Sequence, residues 1–191
     1  MSPAAEPHSL TAARHLLLHP DYRRRYPESF ADTLSPDQAY CGSWHLEDPL
    51  PGSSLSIGEA ILSPTRTYLP VIRDIFNQTE NGAIHGLIHC TGGGQAKCRD
   101  FGQAVRIVKD NLFPMPPIFA AIRETGQMDD RELYQVFNMG HRLELYCEPQ
   151  AVSAILETCQ NRRLDARVVG YTEKSGHDGR EVVIKDHGHT L

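Results

Sequence analysis

The residues best placed to do chemistry lie around "GLIHCTGGGQAK", residues 86–97, where an apolar run carrying histidine ends in three consecutive glycines. Ordering such a run costs conformational entropy, so it implies positive φ, a close approach to a neighbour or ligand, or both. Thr91, Gly92, Gly93 and Gly94, running from a strand into a helical start, suit backbone N–H groups turned toward an anion. A tight turn would satisfy the same residues. The loop has no Lys-Ser/Thr pair at Walker A spacing, and Lys97 stands where a G-x-G-x-x-G fingerprint needs its last glycine.

His89 adjoins the loop and could hydrogen-bond a substrate, whereas His85 reads as an ordinary exposed or satisfied imidazole. In a regular strand the two share a face but stand roughly 13 Å apart, too far for one metal ion. Arg66 in "SPTRTY" suits a phosphate, a carboxylate or a structural hydrogen bond. Asn138 and Gly140 in "FNMGHR" put a small amide and a flexible residue just before a strand, as a turn or as a ligand contact. "RRRY" at 23–26 reads as a solvated face, and His177, His187 and His189 as an exposed tail able to hold adventitious metal. No paired carboxylates and no Ser/His/Asp arrangement stand out, so these residues do not by themselves name a reaction.

The elements that must position them follow from periodicity. "LTAARHLLL" at 10–18 predicts a short helix ending before Pro20, followed by a Pro-rich arm or extended connection to about residue 56. Tyr68, Ile72, Ile75 and Phe76 mark a helix with Pro70 in its first turn. Residues 83–90, 104–109 and 141–147 read as strands, the last with Leu143, Leu145 and Cys147 on one face. Helices are expected at 117–124, at 129–136, and in "PQAVSAILETCQ", where Val152, Ile155, Leu156 and Cys159 form a stripe. Residues 166–173 and 180–185 read as strands joined through "SGHDG" as a hairpin. The fold class is therefore α+β: mixed α/β layers with a mainly antiparallel or mixed sheet and packed helices. The expected organisation is an N-terminal helix and arm over 1–56 and a domain over 57–191.

The net charge of −5 argues against a general nucleic-acid binder, while leaving room for a local basic patch that receives a phosphorylated small molecule. Five cysteines without a CxxC suit free thiols in a reducing compartment. No apolar run reaches the roughly 18 residues of a membrane span, and the start has no signal-peptide pattern. The expected location is the cytoplasm, with no membrane partner.

"SPTRTY", "IHGLIHCTGGG", "FPMPPIF", "YQVFNMGHRLELY" and "DARVVGYTE", in this order, resemble the C-terminal half of aminoimidazole ribonucleotide synthase, the phosphoribosylformylglycinamidine cyclo-ligase family. The resemblance runs from about His8 to Ile184 and fits this family better than the selenophosphate, thiamine-phosphate or formylglycinamide ribonucleotide enzymes of the wider superfamily. It implies a role in ATP-dependent closure of the imidazole ring of formylglycinamidine ribonucleotide, in purine biosynthesis. The family's N-terminal domain, which carries its ATP and magnesium sites, has no counterpart here, and the Asn-Gly of its link is absent from "EPHSLTAARH".

The expectation is thus a chain that lines a substrate cleft and is not active alone. Arg66, His89, Thr91, Gly92, Gly93, Gly94, Asn138 and Gly140 would face a phosphorylated ribonucleotide, and no metal or cofactor would be held by this chain itself. ATP and magnesium would belong to a complete two-domain assembly, formed with a separate N-terminal polypeptide or as a longer enzyme of which this chain is a piece. Self-association is the other way to cover exposed apolar surface. The alternative is a non-catalytic binding or assembly module that keeps the fold.

Overall fold

In the computed structural model, which describes residues 9–64, 66–176, 179–186 and 189–190, the elements run α1 (Ser9–Leu17), α2 (Asp21–Arg25), α3 (Ile57–Ile61), α4 (Leu69–Gln78), β1 (Ile84–His89), β2 (Val105–Lys109), α5 (Pro117–Gly126), α6 (Asp130–Val136), β3 (Leu143–Cys147), α7 (Val152–Asn161), β4 (Gly170–Lys174), β5 (Glu181–Asp186) and β6 (His189–Thr190). His8, His177 and His187 lie outside the described residues, as does Thr65. The chain forms two compact units, each discontinuous in sequence. The first takes residues up to Pro64 together with Thr91–Gln95 and Pro114–Gly140; the second takes the remainder.

The first unit is helical. Among the described residues it contains α1, α2, α3, α5 and α6, and buries Leu17, Tyr40, Leu50, Ile57, Ile122, Leu133 and Phe137. Local signals set its helix starts. Ser56 and Glu59 form a reciprocal capping box on α3, and the Asp129 carboxylate accepts the Glu132 N–H at the start of α6. α1 lies against α5, and the Trp44 indole N–H donates to Thr125 Oγ1 at 3.1 Å. Between α2 and α3 the chain makes short 3-10 turns at Pro27–Ser29 and Pro36–Gln38.

The second unit holds the strands with α4 and α7. β1 and β3 form an antiparallel ribbon, and a second sheet has the order β4-β2-β5-β6. One side of the ribbon gives Ile84, Leu145 and Cys147 to a core with Val71 and Ile75 of α4 and Ile155 and Cys159 of α7. The other gives Ile88 and Tyr146 to a core with Cys90, Cys98, Ile107 and Val182. A register shift between Ile84 and Gly86 makes His85 an inserted residue, which is how Ile84 and Ile88 reach different cores despite their even spacing.

Three local expectations change. The expected hairpin of the last two long strands does not form, because β2 lies between them, antiparallel to β4 and parallel to β5. Its apolar Ile107 and Val108 are buried, so it takes the central position with partners on both edges. On α4 the buried residues are Val71 and Ile75, while Phe76 is half-exposed. On β3 the fully buried residue is Glu144, for which an apolar-face reading had no place. The fold is α+β, with helices and small antiparallel and mixed sheets.

Candidate functional site

The glycine run belongs partly to turn geometry. Gly93 and Gly94 both have positive φ, +89° and +52°, and a 3-10 helix, Gly94–Asp100, follows at once. A Cβ on Gly94 would stand 2.6 Å from the carbonyl oxygens of both Tyr134 and Phe137. Its bare Cα is therefore required by packing against the end of α6. Gly92 differs: a Cβ there meets nothing within 4 Å, and Thr91, Gly92 and Gly93 are exposed.

Asn138 and Gly140 sit in the same unit as this loop. Gln95, almost fully buried, donates from Nε2 to the Asn138 carbonyl at 2.6 Å, and the Gly140 N–H donates to Asn138 Oδ1 at 2.9 Å. Gly140 has φ +89°, and a Cβ on it would come within 2.9 Å of the Pro116 ring. The fold thus brings Thr91–Gly94, Asn138 and Gly140 into one unit, with both Asn138 oxygens accepting hydrogen bonds inside the turn.

Arg66 and His89 lie in the other unit, beside two residues that sequence reasoning missed as site candidates, Tyr68 and Arg142. The Tyr68 ring meets the exposed His89 imidazole edge-on at 6.0 Å, and Lys97 Nζ donates to the His89 carbonyl at 3.0 Å. Burial pushes the Tyr68 phenol up. The charges of Arg142 and Arg66, with a hydrogen bond from Arg142, pull the other way. The Arg142 backbone is fixed in turn, since its carbonyl accepts the Cys90 N–H at 2.9 Å. Two guanidinium groups beside one phenol suit a phosphate or carboxylate dianion. The only hint of Arg142 in the sequence is its place directly after "FNMGH".

His85 takes no part in this cluster. It pairs with the exposed Glu148 at 2.8 Å. Deeper in the same unit Lys109 Nζ lies 2.5 Å from Glu144 Oε1, both side chains almost fully buried, and the Tyr146 hydroxyl donates to Glu144 Oε2 at 2.7 Å. Burial is the leading cause that raises the Cys90, Cys98 and Tyr146 groups around this pair, with the Glu144 charge acting in the same direction. These groups are held in their neutral forms, which makes the thiols poor nucleophiles.

A family model described as AIR synthase related protein, C-terminal domain, matches residues 43–183. The chain is 34% identical over 128 residues to the chloroplastic phosphoribosylformylglycinamidine cyclo-ligase of Arabidopsis thaliana, covering 65% of this chain and 32% of that protein. To the phosphoribosylformylglycinamidine cyclo-ligase of Methanopyrus kandleri it is 31% identical over 148 residues, covering 78% and 40%. The chain thus spans well under half the length of these curated relatives. Among solved structures it is similar to Escherichia coli HypE, with a TM-score of 0.49 and 17% identity over 74% of this chain and 41% of that one.

Proposed function

Since the chain belongs to the AIR synthase related protein, C-terminal domain, family, we propose that it binds a phosphorylated ribonucleotide and contributes to ATP-dependent ring closure of formylglycinamidine ribonucleotide in purine biosynthesis. The observation that carries this reading is the pair of Arg66 and Arg142 acting on Tyr68, whose ring meets His89. Guanidinium groups offer paired donors that match a phosphate, and Arg142 is held in place by its backbone and by Tyr68.

Magnesium fits the described residues poorly. Magnesium favours a set of oxygen ligands, whereas the cluster of three metal-ligating groups among the described residues is His19, Asp21 and His45, rich in imidazole. We assign ATP and magnesium to the part of the relatives that this chain does not match, and the exposed Leu69 and Phe76, two helical turns apart on α4, suit a contact with it. The free cysteines support a cytoplasmic, reducing setting.

The test is reconstitution. The chain is mixed with ATP, magnesium, formylglycinamidine ribonucleotide and the part of the Methanopyrus kandleri protein that it does not match. Formation of aminoimidazole ribonucleotide supports the proposal, as does its loss with Arg142→Ala. Substrate binding without turnover overturns the catalytic role and leaves a binding module.

A further inference from the structure

His19, Asp21 and His45 lie in the helical unit and share no residue with the basic cluster. Their potential ligand atoms all fall within 4.8 Å of one another. We propose that they bind a divalent transition metal ion of the zinc class.

The backbone places them before any metal is considered. His19 N donates to the Trp44 carbonyl at 2.9 Å, beside a bridge between Leu18 and Trp44, which ties the end of α1 to the segment bearing His45. Leu46 N donates to the Tyr22 hydroxyl at 2.8 Å and closes the other side. The two imidazoles stack at 4.7 Å with 23° between their planes.

Polarity is the next consideration. His19 Nδ1 accepts the Asp21 N–H at 3.2 Å, so it carries the ring's lone pair, and it lies 3.5 Å from Asp21 Oδ2. His45 Nε2 is 4.0 Å from the same oxygen, while its Nδ1 lies 3.7 Å from Asp48 Oδ2. That carboxylate oxygen accepts the His45 backbone N–H at 2.7 Å, which fixes the backbone that carries the imidazole beside Asp21. Arg24 occupies the other Asp21 oxygen, Oδ1. Electron-rich atoms therefore converge on one spot. One metal ion satisfies all three groups.

Ligand atoms on a tetrahedral zinc stand about 3.3 Å apart, so the present gaps close with side-chain shifts of under about 1 Å and exchange of the His19–Asp21 hydrogen bond for coordination. Two imidazoles and one carboxylate select zinc, cobalt or nickel over magnesium and calcium. The groups are half-exposed, giving entry from solution and room for a water as fourth ligand.

The test is titration of the full chain, with His177, His187 and His189 replaced by Gln, using zinc by calorimetry and cobalt by visible absorption. One equivalent is expected, with the intense visible band of tetrahedral cobalt. Asp21→Asn and His45→Ala should each weaken binding at least about 100-fold with the fold intact by circular dichroism. Should His45→Ala fail to fold, His45→Gln carries the test. Absence of saturable binding at 100 µM-scale metal (~10⁻⁴ M, above the dissociation constants expected of three-ligand sites) overturns the proposal, and so does binding that these variants leave unchanged. Neither result bears on ribonucleotide binding by the other unit.

Discussion

The turn at Gly94 and the ion pair of Lys109 with Glu144 are tight points of different units, and they are tight for opposite reasons. At Gly94 the constraint is the absence of a side chain, because two carbonyl oxygens occupy the space a Cβ would need. At Lys109 it is the presence of one: a charge on β2 is buried against a charge on β3, and Tyr146 satisfies the remaining carboxylate oxygen. Close backbone packing tolerates no added atom, whereas a buried ion pair tolerates no loss of its partner. One unit should therefore fail on insertion and the other on deletion.

The largest effect should come from splitting the pair. Lys109→Met leaves the Glu144 carboxylate buried without its cation, with an expected loss of about 3–5 kcal/mol in urea unfolding. Lys109→Met combined with Glu144→Leu should recover most of that loss, and simple additivity of the two single losses would show that the pair is not the source of the sensitivity.

Next comes the glycine. Gly94→Ala should cost about 2 kcal/mol or more, from left-handed backbone and the Cβ clash together, while Gly92→Ala should stay within about 0.5 kcal/mol. Equal effects at the two positions would remove the distinction between them.

Thiol labelling contrasts the units without mutation. The exposed Cys41 should react first, and Cys90 and Cys98, buried with their thiols pushed up, should react only after unfolding.

The smallest effect concerns pH. His15 is buried in the helical unit, accepts the Tyr40 N–H at Nδ1, and is held below its usual pKa by burial and then by Arg14. The unfolded chain binds this proton more readily than the folded one, so stability should fall as pH drops below the ordinary histidine range near about 6.5 and recover above it. His15→Gln should flatten that part of the profile.

The glycines were legible because glycine advertises the positive φ found at Gly93 and Gly94, and Pro70 and Asp129 likewise marked real helix starts. Glu144 and Lys109 were not, since Glu144 alternates with Leu143 and Leu145 as a surface residue would, Lys109 stands at a strand end beside Asp110, and 35 positions separate the partners. The bulge at His85 also escaped notice: it shifts the phase of the period-two pattern, but only Ile84 lies before it in the strand, too little to show the shift. The split of the last hairpin by β2 depends on a long-range pairing that turn residues cannot report. At the site, Arg66 and His89 were found through their motifs, whereas Arg142 gains its meaning only beside Tyr68.

The central claim is that the Arg66–Arg142 cluster receives the phosphate of a ribonucleotide, and calorimetric titration with formylglycinamidine ribonucleotide tests it most directly. The wild type should bind, and Arg66→Ala and Arg142→Ala should each weaken binding by about 10–100-fold, the range for a lost charge-assisted hydrogen bond. Binding that is indifferent to both arginines, or no binding with the rest of the enzyme supplied, would contradict the account.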